Sequence, residues 1–172
     1  MMSDSTKLNE STMSNVDVLM NDGVMELKYI QENLAYDIMS TPTVSGYEYR
    51  LVTYIVMWAR RNNINYKFDD YGNVYLTKGE IEKGEYYPCV TSHLDTVQTE
   101  QTTWAQVGLP LELKTRKNKS GNHEWYVNET GIGADCKSGV VIALSLFSHC
   151  DKLKACFFFL DEIGCQGSKK LD

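Results

Sequence analysis

The chain has 172 residues, a formal charge of −6 and 42% hydrophobic residues, which suits one globular domain and is too apolar for overall disorder. Its 17 Lys and Arg form no basic block, which argues against a nucleic-acid partner and against docking on an anionic membrane. The longest apolar run, Ala155 to Leu160, is far too short to span a bilayer, and Met1 to Asn15 lacks the apolar core of a secretory signal. Cys89, Cys136, Cys150, Cys156 and Cys165 form no C-x-x-C pair. They read as buried, reduced thiols of a cytoplasmic protein rather than as a disulfide framework or a zinc finger.

Residues 1–22 are rich in Ser, Thr, Asn, Asp and Met without a sustained period and predict a mobile polar tail, leaving 23–172 as the folded part. Leu27, Ile30, Leu34 and Ile38 recur at helical spacing; Thr41-Pro42 ends that helix, because the residue before proline avoids the helical region. Ser45-Gly46-Tyr47-Glu48 has capping-box spacing and predicts a second helix to about Asn62 that buries Leu51, Tyr54, Ile55 and Trp58. Ile64, Tyr66 and Phe68 alternate, Asp70 to Asn73 turns, and Val74 and Leu76 alternate again, the pattern of a β-hairpin.

Tyr86 to Thr91 reads as a buried strand, and Leu111 to Thr115 with Trp125 to Val127 as a second hairpin around Asn118 to Asn122. Gly131 to Gly139 reads as a glycine-rich loop feeding a helix from Val140 to about His149, and Lys154 to Leu160 as another buried strand. The late alternation of strand, helix and strand predicts an α/β fold, with a mixed central β-sheet flanked by helices.

Three clusters carry chemistry. His93 and Asp95 end the Tyr86 to Thr91 strand and face one side if extended, which suits a metal-ligating imidazole oriented by a carboxylate, directly or through the loop. Asp135 lies in the Gly131 to Gly139 loop, where Cys136 occupies the position at which a phosphate loop needs glycine; a carboxylate there suits a cation. Asp161-Glu162 follow a very apolar strand, so one can ligate a metal while its neighbour meets water or substrate. A structural hydrogen bond, a solvated helix cap and ordinary strand-end acids are the alternative readings of the three. Together, one His and two carboxylates make a donor set for zinc, manganese or cobalt that needs no thiolate.

In order, Ser45-Gly46-Tyr47-Glu48, Asp70-Tyr71-Gly72-Asn73-Val74, His93-Leu94-Asp95-Thr96-Val97, Gly133-Ala134-Asp135-Cys136-Lys137-Ser138-Gly139 and Asp161-Glu162-Ile163-Gly164 resemble the two-zinc exopeptidases. That superfamily includes peptidase T, related aminopeptidases, glutamate-type carboxypeptidases and aminoacylases. The resemblance implies a phosphorylase/hydrolase-like catalytic domain, present here as its N-terminal part, that hydrolyses peptide or acyl-amino-acid amide bonds. It implies two zinc ions, with His93 on one, Asp135 bridging and Glu162 on the other, Asp95 orienting His93 and Asp161 as general base. The family carries Glu at the base position, one methylene longer than Asp161. It also supplies a further acidic ligand and a late histidine downstream, so a complementary C-terminal chain or a homo-oligomer is an expected partner. His123 and His149 read as solvated. The reading from a different class is a shortened, non-catalytic relative that binds a partner chain.

Overall fold

The computed structural model describes residues 33–171; the expected tail and most of the expected first helix lie outside them. The fold below belongs to the unit Ala35–Asp172. Helix α1 covers 33–40 and stops ahead of Pro42, as the sequence predicts. Helix α2, Tyr49–Arg61, buries a stripe of Leu51, Ile55 and Ala59. Tyr54 and Trp58, expected in the core, are only half-buried, and Ala59 takes the inward position instead.

The first hairpin forms as expected: β1, Asn65–Phe68, pairs antiparallel with β2, Val74–Lys78. β2 then pairs antiparallel with β6, Leu153–Phe158, and β6 pairs in parallel with β3, Cys89–His93. The mixed sheet therefore runs β1-β2-β6-β3, with the last strand inserted between two earlier ones. Val74, Leu76, Ala155 and Phe157 are fully buried, on the face that α4, Ala134–Leu146, covers over β3 and β6. Trp58 of α2 meets Phe147 beyond α4 with ring centroids 6.0 Å apart.

The strand expected over Tyr86 to Thr91 is displaced. Pro88 has no N–H for a ladder, so pairing starts after it, Tyr86 is 92% exposed, and within β3 only Ser92 is buried. A 3₁₀ turn at Thr99–Gln101 and a short helix α3, Thr102–Val107, went unread in the sequence. The second hairpin, β4 Lys114–Lys117 with β5 His123–Tyr126, forms around Asn118, whose Oδ1 accepts the Ser120 and Asn122 N–H groups. Helix α4 spans Ala134–Leu146, but Asp135 (φ −88°, ψ 112°) and Cys136 (φ −108°, ψ 25°) are not helical, so its regular turns begin after Cys136, still ahead of the expected Val140. Among the described residues no helix is long and apolar enough to cross a membrane.

Candidate metal centre

β3 ends at His93 and β6 at Phe158, and these two residues are register partners. Both chains leave the same end of the sheet, where parallel α/β sheets place their sites. Gly133 brings in the third segment: it takes φ 70° at the start of α4, and a Cβ there would sit 2.6 Å from Thr96 Cγ2. Only glycine lets the loop carrying Asp135 pass this close to the end of β3.

Asp95 is the fully buried hub. Its Oδ1 accepts the Asp161 N–H at 3.0 Å, and its Oδ2 accepts the Glu162 N–H at 3.0 Å and the Ser45 hydroxyl at 2.6 Å. Burial pushes the Asp95 carboxyl up, but hydrogen bonds from His93, Ser45 and the two amides outweigh it and hold the group below its ordinary value. His93 Nδ1 lies 2.9 Å from the Asp95 carbonyl and 3.5 Å from its Oδ1. Asp95 therefore meets the Nδ1 side of the ring with its main-chain carbonyl in hydrogen-bond range and its carboxylate somewhat farther off.

The other ring nitrogen faces acids. His93 Nε2 is 3.4 Å from Asp135 Oδ1 and 4.0 Å from Glu162 Oε1. The structure therefore brings together all three residues expected to hold metal. Asp135 is the open member, with its side chain 91% exposed against 15% for His93. The hydrogen bond with Asp95 raises the His93 pKa to about 9 against the opposing effect of burial. A field that favours a proton on this ring also favours a cation beside it, so the residues present fit a divalent metal.

Asp161 lines the same cleft as His93 and Cys136. Its Oδ1 accepts the Ser168 hydroxyl at 3.0 Å, and its Oδ2 lies 3.9 Å from the Cys165 thiol. The loop that carries Asp161 and Glu162 is closed on itself by Gly167 N–H to Phe159 O at 2.9 Å and Cys165 N–H to Asp161 O at 2.7 Å. Leu160 leaves β6 with φ 53°. Buried Asn73 clamps both ends, its Oδ1 accepting the Phe159 N–H at 2.9 Å and its Nδ2 donating to Gly167 O at 3.0 Å. Asp69 fixes Asn73 in turn through a 2.7 Å bond to the amide.

The capping box does not form. Ser45 is drawn to Asp95, and Glu48, though it precedes α2, makes no side-chain cap. Glu48 is instead fully buried, with Oε1 accepting the Leu160 N–H at 3.1 Å and Oε2 without a partner among the described residues. Burial pushes its carboxyl up to about 7, partly opposed by main-chain amides.

The thiols also depart from expectation. All five are free, but only Cys156 is buried; Cys89 and Cys165 are exposed. Cys136 joins the centre: its sulfur and one donor atom each of His93 and Asp135 lie within 4.8 Å of one another. Its position directly after Asp135 was the available signal. His123 and His149 are exposed, as expected.

No protein-family profile matches the chain, and no curated protein sequence does. Solved structures do match. A tripeptidase from Staphylococcus aureus subsp. aureus Mu50 is 18% identical over 83% of this chain with TM-score 0.61. An aminoacylhistidine dipeptidase from Vibrio alginolyticus is 22% identical over 83% with TM-score 0.65. Aminopeptidase PepT from Bacillus cereus ATCC 10987 is 19% identical over 83% with TM-score 0.62. The matched regions make up 39%, 30% and 40% of those three chains. The resemblance to peptidase T and its relatives holds at the level of architecture: this chain has the mixed α/β fold of these peptidases and spans well under half their length.

Proposed function

We propose that the chain is the metal-holding part of a metallopeptidase that removes residues from one end of a peptide, in the manner of an aminopeptidase. The observation that carries this reading is His93, fixed by Asp95 on one ring nitrogen and facing Asp135 and Glu162 with the other. In this reading His93, Asp135 and Glu162 hold two zinc ions, with Asp135 shared. A bound divalent cation supplies Lewis-acid activation of water and stabilises developing negative charge.

The chain's own residues do the rest. Asp95 keeps the His93 ring in one tautomer and, through the two amides, sets where Asp161 and Glu162 start. Asp161 takes the proton of the attacking water and returns it to the leaving amine. Ser168 holds Asp161 Oδ1 at 3.0 Å, and Oδ2, which meets only the weak donor of the Cys165 thiol at 3.9 Å, is the oxygen for that transfer. A peptide is the proposed substrate, with an acyl-amino acid as its nearest alternative, and a second copy or a complementary chain is the proposed partner.

The test is elemental analysis after dialysis against trace zinc, wild type beside His93→Ala, followed by release of the terminal residue from a tripeptide. About two zinc per chain, lost in the variant, with hydrolysis by the loaded protein, supports the reading. Zinc bound without hydrolysis leaves a partner-binding role, and no zinc in either protein removes the metal centre.

A further inference from the structure

We infer that Cys136 is itself a metal ligand, so that His93, Asp135 and Cys136 form a thiolate-containing site that selects zinc-like cations over magnesium and calcium. The inference rests on the metal centre proposed above and adds a donor of a different chemical class to it.

The three donor atoms lie within 4.8 Å of one another. Around one tetrahedral zinc, bonds of about 2.0 Å to nitrogen or oxygen and 2.3 Å to sulfur place neighbouring ligand atoms roughly 3.3–3.6 Å apart. The 3.4 Å between His93 Nε2 and Asp135 Oδ1 already matches this spacing.

Local structure holds the sulfur in place. The Ser92 hydroxyl donates to the Cys136 carbonyl at 2.9 Å. The next residue, buried Lys137, donates to the Met39 and Thr41 carbonyls at 2.9 and 3.0 Å. A Cβ on Gly139 would sit 2.7 Å from Cys136 Sγ, so the glycine one turn along α4 leaves the space that the sulfur occupies. Among the described residues Cys136 Sγ has no hydrogen-bond partner, and it opens with His93 onto a cleft of about 330 Å³.

Chemistry sets the selectivity. Magnesium and calcium take oxygen donors, whereas a thiolate beside an imidazole favours zinc, cobalt or cadmium. Binding the cation releases the thiol proton to solvent.

The experiment titrates the full chain with cobalt(II) and reads the near-ultraviolet sulfur-to-cobalt charge-transfer band. The expected result is a saturable band in the wild type that Cys136→Ser lacks, with zinc affinity down at least about tenfold in that variant. His93→Ala should bind neither metal. A Cys136→Ser protein with the same band and affinity overturns the inference and leaves the metal centre standing. No cobalt binding by the wild type overturns both. As a readout on unaltered protein, saturating zinc but not magnesium should slow alkylation of Cys136, followed by peptide mass spectrometry. An unchanged rate with zinc overturns the inference.

Discussion

Glu162 is placed by Asp95 through its main chain: its N–H donates to Asp95 Oδ2 at 3.0 Å, while the Asp95 carbonyl and Oδ1 face His93 Nδ1. One buried residue thus sets two of the four residues proposed to hold metal, although one ends β3 and the other lies in the loop after β6.

Asp95→Asn keeps the shape but loses the charge and turns an N–H toward a neighbouring N–H. The variant should lose about 2–4 kcal/mol in urea unfolding and about 10–100-fold in zinc affinity. Isothermal titration reads the second quantity, and an unchanged Kd would show that Asp95 does not position the ligands.

Glu48 links stability to pH. Its carboxyl titrates near 7 in the folded chain against 4.5 ordinarily, so between those values the folded state holds more protons. Its contribution is complete below pH 4.5 and is lost as pH rises through 7. Measured on metal-free protein, the stability of wild type relative to Glu48→Gln should fall by about 3 kcal/mol between pH 4.5 and 8. A difference that stays flat would mean the carboxylate reaches water.

The clamp on the Phe159–Gly167 loop predicts a matched pair of losses. Asn73→Ala leaves the Phe159 N–H unpaired and removes one of the two donors to the Gly167 carbonyl, which keeps the Lys170 N–H at 3.0 Å, and should cost about 2–3 kcal/mol. Gly167→Ala puts a Cβ 2.3 Å from Phe159 O and 2.4 Å from Asn73 Oδ1. Neither neighbour can move without opening the loop, so this change should cost at least as much, about 3 kcal/mol. Thermal unfolding of the two variants, with and without zinc, compares them.

Metal removal gives the broadest check. Zinc at about 100 times its Kd should stabilise the wild type by about 2.7 kcal/mol, and a chelator should abolish the gain. His93→Ala should show no response to either addition. A melting temperature indifferent to zinc in the wild type would refute the centre.

The sequence was most readable where a signal is local. The Ile64 to Leu76 hairpin, the stop before Pro42 and the acids after β6 each depend on a few neighbouring residues, and each is found where expected. Ser45 and Glu48 show the opposite case. Their spacing fits a cap, yet their partners Asp95 and Leu160 lie 50 and 112 residues away, and a buried carboxylate or loop amide outcompetes a solvated helix end. Cys136 was set aside because His and carboxylates sufficed for a ligand set; only the turn into α4 shows that its sulfur shares their space. In β3 the aromatic run before Pro88 resembled a buried strand, but the proline shifted pairing beyond it.

The insertion of β6 between β2 and β3 has a consequence for the order of folding. The β1–β2 hairpin can close as soon as it leaves the ribosome, but β3 must wait some sixty residues for its neighbour, a long loop to close before any pairing rewards it. Until then β2 and β3 present open edges, and His93 has no Glu162 to face. A nascent chain should therefore be most prone to aggregation, and should hold zinc less tightly, until the segment from Leu153 to Glu162 has emerged.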